Sequence, residues 1–346
     1  MNKLILENKL EFEGKSFGAN TSASGEVVFS TGMIGYPESL TDPSYKGQIL
    51  VLTYPLIGNY GIPDKKFWES DKIQVSGLIV SSYIDTPFHF QSRQTLGDWL
   101  ISENIPALEI KDTRLLTQII REKGTLLGII SNGEKINFYN PDNENLVKKV
   151  SSGKIVKYGN KTNSPNILLI DCGAKRNILR SFISRNVNVI VVPWDFDLTE
   201  SKLKDDINAV VISNGPGNPK FVIQTIKNIS KLLELNIPIL GICLGHQLLT
   251  LALGGDTKKL KYGHRSQNQP CIETDSQRCY ITTQNHSFEV SKIPMGFSEW
   301  FINANDSSNE GIIHKNKPIM SVQFHPEATP GPHDCEWIFD FFLEKI

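Results

Sequence analysis

The sequence predicts an α/β protein with an N-terminal mixed, mostly β domain followed by a parallel-sheet α/β domain. Its 346 residues are enough for two ordinary domains. Residues 1–135 alternate short apolar runs with turns, as in GEVVFSTGMIGYP, a pattern typical of strands joined by tight connections. From residue 166, near-continuous Val/Ile/Leu runs alternate with helical patterns, which indicates a parallel sheet covered by helices on both faces.

In the first domain, the runs GQILVLTYPLIGNYG and KIQVSGLIVSS add further predicted strands. One helix is predicted at DTRLLTQIIREKG, where Asp112 or Thr113 can cap the start and Gly124 can end it. Its apolar stripe is expected to consist of Leu115, Leu116, Ile119 and Ile120.

Residues 136–165 are rich in Asn, Lys, Ser and Gly, which predicts a crossing between the domains. The second domain, residues 166–346, is predicted to contain, in order, strand NILLIDCG, helix AKRNILRSFISRN, strands VNVIVVPW and INAVVISNGPGNP, helix VIQTIKNISKLLELN, strand IPILGIC and helix LGHQLLTLALGG. Chemistry in such sheets collects at the carboxyl ends of strands. We therefore expect it in the loops SNGPGNP, GICLGHQ and QFHPE.

The bulk composition argues against nucleic-acid-binding, membrane-spanning and disulfide-rich proteins. The formal net charge is −1, without a basic block, and no apolar run is long enough to span a bilayer. Five scattered cysteines without a C-x-x-C pair predict reduced thiols and no metal site. Without a recognisable targeting signal, the expected location is cytoplasmic, or the stroma if the chain is plastid-encoded.

Cys243 is the first candidate for chemistry. GICLG has the small-x-nucleophile-x-small pattern of a nucleophile elbow, a tight strand-to-helix turn. A helix N-terminus favours the thiolate, and the N–H of Leu244 is placed to stabilise an oxyanion. Taken alone, Cys243 fits a buried core cysteine better, because cysteine is commonly buried.

His325 and Glu327, in QFHPE, can supply a base and its orienting acid. A predicted strand delivers His325, and Glu327 can point the same way two residues on. The motif alone fits a surface turn equally well, but combined with the elbow it predicts a Cys–His–Glu triad. The loop SNGPGNP could add N–H donors through Gly215 and Gly217, although, taken alone, it fits an ordinary loop better.

These three motifs, in this order, resemble class I (triad) glutamine amidotransferases. The block GEVVFSTGMIGYPESLTDPSYKGQILVLTYPLIGNYG is similar to the small, glutamine-hydrolysing subunit of carbamoyl-phosphate synthase, as are DCGAKRNILRSF, TQNHSF and QFHPEATPGPHD. The resemblance implies a class I glutamine amidotransferase domain in which Cys243 is the nucleophile, His325 the base and Glu327 the acid. It implies glutamine contacts by Ser44, Gly215, Gly217, Leu244, Gln247, Asn285, Ser287 and Phe288.

The resemblance also implies a reaction and a partner. Glutamine would be hydrolysed through a thioester to glutamate and ammonia, and the large subunit would use the ammonia to make carbamoyl phosphate for arginine and pyrimidine biosynthesis. The first domain is expected to dock that subunit. No cofactor is expected in this chain, because ATP, bicarbonate and Mg²⁺ would bind the large subunit.

Several alternatives remain at this point. The chain could serve a different synthase, act alone on γ-glutamyl compounds, or be a non-catalytic scaffold. Cys172 is a rival thiol, since it also ends a predicted strand, but its loop lacks paired glycines. Ser287 stands where the family usually has Gly, which would be strained if the turn requires positive φ.

Overall fold

A computed structural model describes residues 2–346, which form two compact units, the first ending at Asn143 and the second spanning Glu144–Ile346. The boundary lies inside the segment 136–165 that the sequence predicts as the crossing. The predicted α/β class, with a β-rich first part, is confirmed.

The first unit is built on an eight-stranded mixed sheet. Its strands are β1 (Lys3–Leu6), β2 (Glu11–Glu13), β3 (Lys15–Ser16), β4 (Ala23–Ser30), β5 (Gln48–Leu52), β6 (Gly77–Val80), β7 (Ala107–Glu109) and β8 (Leu126–Ser131). The strand order is β2-β1-β8-β4-β5-β6-β7-β3, with parallel pairing from β4 to β7. Its helices are α1 (Tyr36–Thr41), α2 (Leu96–Ser102) and α3 (Thr113–Lys123).

Helix α3 confirms the predicted helix of this unit. The Asp112 side chain accepts a hydrogen bond from the Leu115 N–H at 2.8 Å, and Gly124 follows the last turn. Leu116 and Ile120 are buried, but Leu115 is exposed, so its inclusion in the stripe was wrong. Successive helical residues are rotated by about 100°, which turns Leu115 away from the buried face.

The second unit contains a ten-stranded sheet. Its strands are β9 (Val156–Tyr158), β10 (Asn166–Asp171), β11 (Asn188–Pro193), β12 (Ala209–Ile212), β13 (Ile239–Ile242), β14 (Asp256–Glu273), β15 (Cys279–Lys292), β16 (Phe297–Asn303), β17 (Asn309–His314) and β18 (Ile319–Val322). Its helices are α4 (Arg176–Ser184), α5 (Ile223–Leu232), α6 (Leu244–Ala252) and α7 (Trp337–Leu343).

The centre of this sheet is parallel, in the order β18-β13-β12-β10-β11. Every residue of β12, β13 and β18 is buried, as expected for strands covered on both faces. The parallel arrangement brings the carboxyl ends of β10, β12, β13 and β18 to one edge. The three loops that the sequence predicts to carry chemistry therefore leave the sheet at this edge.

An antiparallel extension, formed by β14, β15, β16 and β17, continues the sheet beyond β18. The sequence pattern did not predict it, because β14 and β15 are rich in Lys, Gln, Asn and Thr rather than Val and Ile. Both strands are long, and their pairing contains register shifts. This strand pair carries the predicted glutamine-contact segment, residues 285–288.

Helix α6 packs so closely on β12 that Gly245 has no room for a side chain. A Cβ at Gly245 would lie 2.1 Å from the carbonyl oxygen of Ile212. Gly245→Ala is therefore expected to destabilise this unit by about 1–3 kcal/mol or more, through overpacking. The urea midpoint followed by circular dichroism measures the effect. Gly153→Ala is the matched control, because its Cβ would meet nothing within 4 Å, and an equal shift in both variants would contradict this explanation.

Candidate active site

Cys243 lies on the turn between β13 and α6. Its backbone has φ 52° and ψ −101°, a conformation that L-residues rarely adopt, and its N–H donates to the Val322 carbonyl at 2.8 Å. A Cβ at Gly241 would lie 2.7 Å from the Gly245 carbonyl oxygen, so the turn requires glycine on both sides. This is the geometry of a nucleophile elbow.

The Cys243 thiol is buried among polar groups. The Gln323 amide nitrogen donates to its sulfur at 3.6 Å, and the sulfur lies 3.7 Å from the Asn285 carbonyl oxygen. Leu244 is the first residue of α6, so no intrahelical acceptor exists for its N–H. A tetrahedral oxyanion formed at Cys243 could therefore be stabilised by this N–H and by the helix N-terminus.

His325 and Glu327 form a buried pair just beyond β18. The Nδ1 atom of His325 lies 2.7 Å from a Glu327 carboxylate oxygen, while its Nε2 has no hydrogen-bond partner. Burial lowers the pKa of His325, but Glu327 and the sulfur of Cys243 raise it more strongly, above the ordinary value. The ring is thus fixed through Nδ1, and Nε2 is left to exchange a proton.

Lys175 is a site residue that sequence reasoning missed. Its buried ammonium group lies 3.1 Å from the Glu327 carboxylate and donates to the Ala328 carbonyl at 2.5 Å. Burial alone would raise the pKa of Glu327, but the interactions with Lys175 and His325 lower it by more. The pKa of Glu327 therefore lies below its ordinary value. The carboxylate therefore stays ionised. The position of Lys175 could have indicated its role. It follows the carboxyl end of β10, which lies at the same edge of the sheet as Cys243.

Glu327→Gln is expected to lower the pKa of His325, because it removes the negative charge that raises it. In the wild type, protonation of His325 stabilises the fold fully below the unfolded value of about 6.5, and this contribution is lost as pH rises through the higher folded value. In Glu327→Gln, this stabilising contribution of His325 should be lost at a lower pH than in the wild type. NMR of ¹³C-labelled histidine measures the titration, with His325→Asn to assign the signal. An unchanged titration midpoint would contradict the assigned role of Glu327.

Gln247 connects the elbow helix to the predicted glutamine-contact segment. Its amide nitrogen donates to the Phe288 carbonyl at 2.9 Å and to the Gln323 side-chain oxygen at 3.0 Å. Asn285 meets the Cys243 sulfur through its carbonyl oxygen. The structure therefore brings Gln247, Asn285 and Phe288 together around Cys243.

Ser287 lies between these contacts without backbone strain. It is not among the residues with positive φ, so the glycine usual in the family is not required for conformation here. Its hydroxyl accepts a hydrogen bond from the Arg265 guanidinium on β14. Ser287 is thereby tied to the neighbouring strand.

The glycine loop after β12 packs against the elbow. A Cβ at Gly215 would lie 2.1 Å from the Cys172 carbonyl oxygen and 2.8 Å from the Leu244 side chain. Gly217 has φ 87° and faces Leu146. Gly215 thus lies beside Leu244, whereas Gly217 lies against Leu146.

Ser44 lies in the first unit. It is buried, and its N–H donates to the Asp42 side chain. Its contact with glutamine stays a prediction.

Cys172 is a poor nucleophile. Burial and the neighbouring Asp171 carboxylate raise the pKa of its thiol well above the ordinary value, so it remains protonated. The Cys172 side chain is also completely buried. Cys243 is the better candidate for the nucleophile.

Within residues 2–346, no helix combines the length and apolar character needed to cross a bilayer.

The fold and this site together define a class I glutamine amidotransferase domain. The family model of the class-I glutamine amidotransferases matches residues 168–345. A second family model, the carbamoyl-phosphate synthase small chain CPSase domain, matches residues 4–130. The chain belongs to the family of carbamoyl-phosphate synthase small chains.

Curated relatives agree with both family models. A carbamoyl phosphate synthase arginine-specific small chain of Neurospora crassa is 46 % identical over 97 % of this chain and 77 % of its own length. The multifunctional protein CAD of Squalus acanthias is 49 % identical over 99 % of this chain, which spans only 16 % of that protein. The multifunctional protein URA2 of Saccharomyces cerevisiae is 43 % identical, and the chain spans 17 % of it.

Proposed function

We propose that this chain is the glutamine-hydrolysing subunit of a carbamoyl-phosphate synthase. The observation that carries the proposal is the buried Glu327–His325 pair at the same sheet edge as the strained elbow of Cys243. The similarity of both parts of the chain to small chains supports it. An arginine-specific small chain and a multifunctional protein both match, so arginine and pyrimidine biosynthesis both fit the proposal.

In the proposed reaction, the Cys243 thiolate attacks the side-chain amide carbon of glutamine. The Leu244 N–H, together with the 215–217 loop, stabilises the oxyanion. His325, protonated at Nε2, gives a proton to the leaving nitrogen, and the tetrahedral intermediate collapses to the thioester with release of ammonia. The neutral His325 then takes a proton from water, which attacks the thioester carbonyl and releases glutamate and the Cys243 thiolate.

Binding and orientation of glutamine are proposed for Ser44, Gln247, Asn285, Ser287 and Phe288. The hydrogen bonds of Gln247 to Phe288 and Gln323 support this for the second unit. ATP, bicarbonate and Mg²⁺ would act at the large subunit, which receives the ammonia. A reducing compartment, cytoplasm or plastid stroma, fits the five free thiols.

The test is glutamate release from glutamine by the purified chain, with and without a carbamoyl-phosphate synthase large subunit. Release stimulated by that subunit is expected. Brisk release that ignores the large subunit would favour a different synthase or a stand-alone hydrolase. No release under either condition, with the large subunit bound, would favour a scaffold.

A further inference from the structure

Three buried side chains converge on the antiparallel extension, on strands that the mechanism uses only in part. They are His264 on β14, His286 on β15 and Glu310 on β17. One ligand atom from each lies within 4.8 Å of the others. The Nδ1 atom of His264 is 3.4 Å from a Glu310 carboxylate oxygen, and the Nε2 atom of His286 is 4.0 Å from the same oxygen.

Each ring is held through its outward nitrogen, so that the inward nitrogen is turned toward Glu310. The Nε2 atom of His264 lies 2.8 Å from the Asp306 carboxylate and so carries a proton. The Nδ1 atom of His286 lies 2.8 Å from the Phe288 carbonyl and must donate to it.

The amide nitrogen of Asn303 donates to one Glu310 oxygen at 3.2 Å, but other polar atoms of this cluster have no hydrogen-bond partner. The Nδ1 atom of His264 and one oxygen of Glu310 are buried without a hydrogen-bond partner. The Nε2 atom of His286 faces the Gln284 side-chain oxygen at 3.1 Å, which is another acceptor. Buried acceptors without donors are costly, and a cation would satisfy all of them together.

We propose that His264 Nδ1, His286 Nε2 and the Glu310 carboxylate bind one divalent transition-metal ion, best matched by Zn²⁺. Two imidazole nitrogens and one carboxylate oxygen are a common ligand set for zinc. Tetrahedral Zn²⁺ with bonds of about 2.0–2.2 Å separates its ligands by about 3.3 Å, so the 3.4 Å pair fits and the 4.0 Å pair must close slightly. The Gln284 oxygen or a water could complete the coordination.

The surroundings also match such a site. Each histidine is held by its other nitrogen, one by a carboxylate and one by a backbone carbonyl, as is usual for metal-bound histidines. The dication would balance Glu310 and Asp306. Asp306, 44 % exposed, offers an entry path.

The consequence for the chain is a cross-link behind the predicted glutamine-contact segment. His286 lies between Asn285 and Ser287, so the ion would join that segment to β14 and β17. This consequence rests on the proposed function, whereas the metal binding itself does not.

The experiment uses the full chain, treated with a chelator and dialysed, then titrated with Zn²⁺ by calorimetry and with Co²⁺ by absorption. One site per chain is expected, with cobalt d–d bands but no sulfur charge-transfer band. Asp306→Asn should weaken binding about 10–100-fold, and Glu310→Gln and His264→Asn should weaken it more. The matched control is His333→Asn, at the exposed His333–Glu336 pair, and it should bind as wild type does.

The absence of stoichiometric binding in the wild type would overturn the proposal, as would a sulfur charge-transfer band. Zinc affinity equal to that of the wild type in folded Glu310→Gln and His264→Asn would also overturn the proposal. If circular dichroism shows that these variants do not fold, zinc X-ray absorption of the wild type decides instead. Two imidazole ligands without sulfur support the site, and any other first coordination sphere rejects it.

Discussion

Cys243→Ser is expected to lower glutamine hydrolysis by roughly five to six orders of magnitude, since loss of the nucleophile removes the covalent route. The hydroxyl that replaces the thiol is a far weaker acid and a poorer nucleophile than the thiol that interacts with His325. The measurement is glutamate release in the presence of the large subunit. Binding of that subunit should persist, because the substitution changes one buried atom.

Two other cysteines provide controls for that result. Cys172→Ala tests the buried rival thiol, and Cys279→Ser tests an exposed one. Both variants should keep most of the hydrolysis rate. Activity that survived Cys243→Ser and vanished in folded Cys172→Ala would overturn the proposed nucleophile.

Lys175→Met is expected to destabilise the second unit by about 3–5 kcal/mol, because it removes the buried ammonium group that pairs with the buried Glu327 carboxylate. The rate of hydrolysis should also fall, since a neutralised or displaced Glu327 no longer orients His325. Glu327 has a lowered pKa in the fold, so its contribution to stability is present above the unfolded value of about 4.3 and is lost as pH falls through the folded value. Urea unfolding measures the effect.

The double variant Lys175→Met/Glu327→Gln separates the two roles of this ion pair. Removing both charges should restore much of the stability lost in Lys175→Met, but not the activity. Lys220→Met is the surface control, because Lys220 pairs with Asp256 in water and its loss should change little. If Lys175→Met unfolded at the wild-type midpoint, the proposed electrostatic role would be wrong.

The parallel core of the second unit could be predicted because its strands are buried on both faces. The run ILLI within β10 and the run VVI within β12 consist of Val, Ile and Leu alone. The antiparallel extension could not, since β14 and β15 carry polar side chains that pair with one another and with buried partners. A search for periodic apolar residues does not detect such strands.

The same division applies to the site. Cys243, His325 and Glu327 stand in short local motifs, so the sequence could predict them. Lys175 reaches Glu327 only through the fold, and its local sequence shows an ordinary cation after a strand. His264, His286 and Glu310 come from three strands of the extension that was not predicted, so their convergence could not be seen.

The positive φ of Cys243 has a consequence for how this chain can change over generations or in engineering. A non-glycine residue in such a conformation costs about 1–3 kcal/mol, and glycine would relieve it. Cys243→Gly would relieve this strain, but it would also remove a buried thiol from the hydrophobic core of this unit. The strained backbone at Cys243 thus serves chemistry rather than stability, so directed evolution of this domain toward thermal tolerance must score turnover at every round.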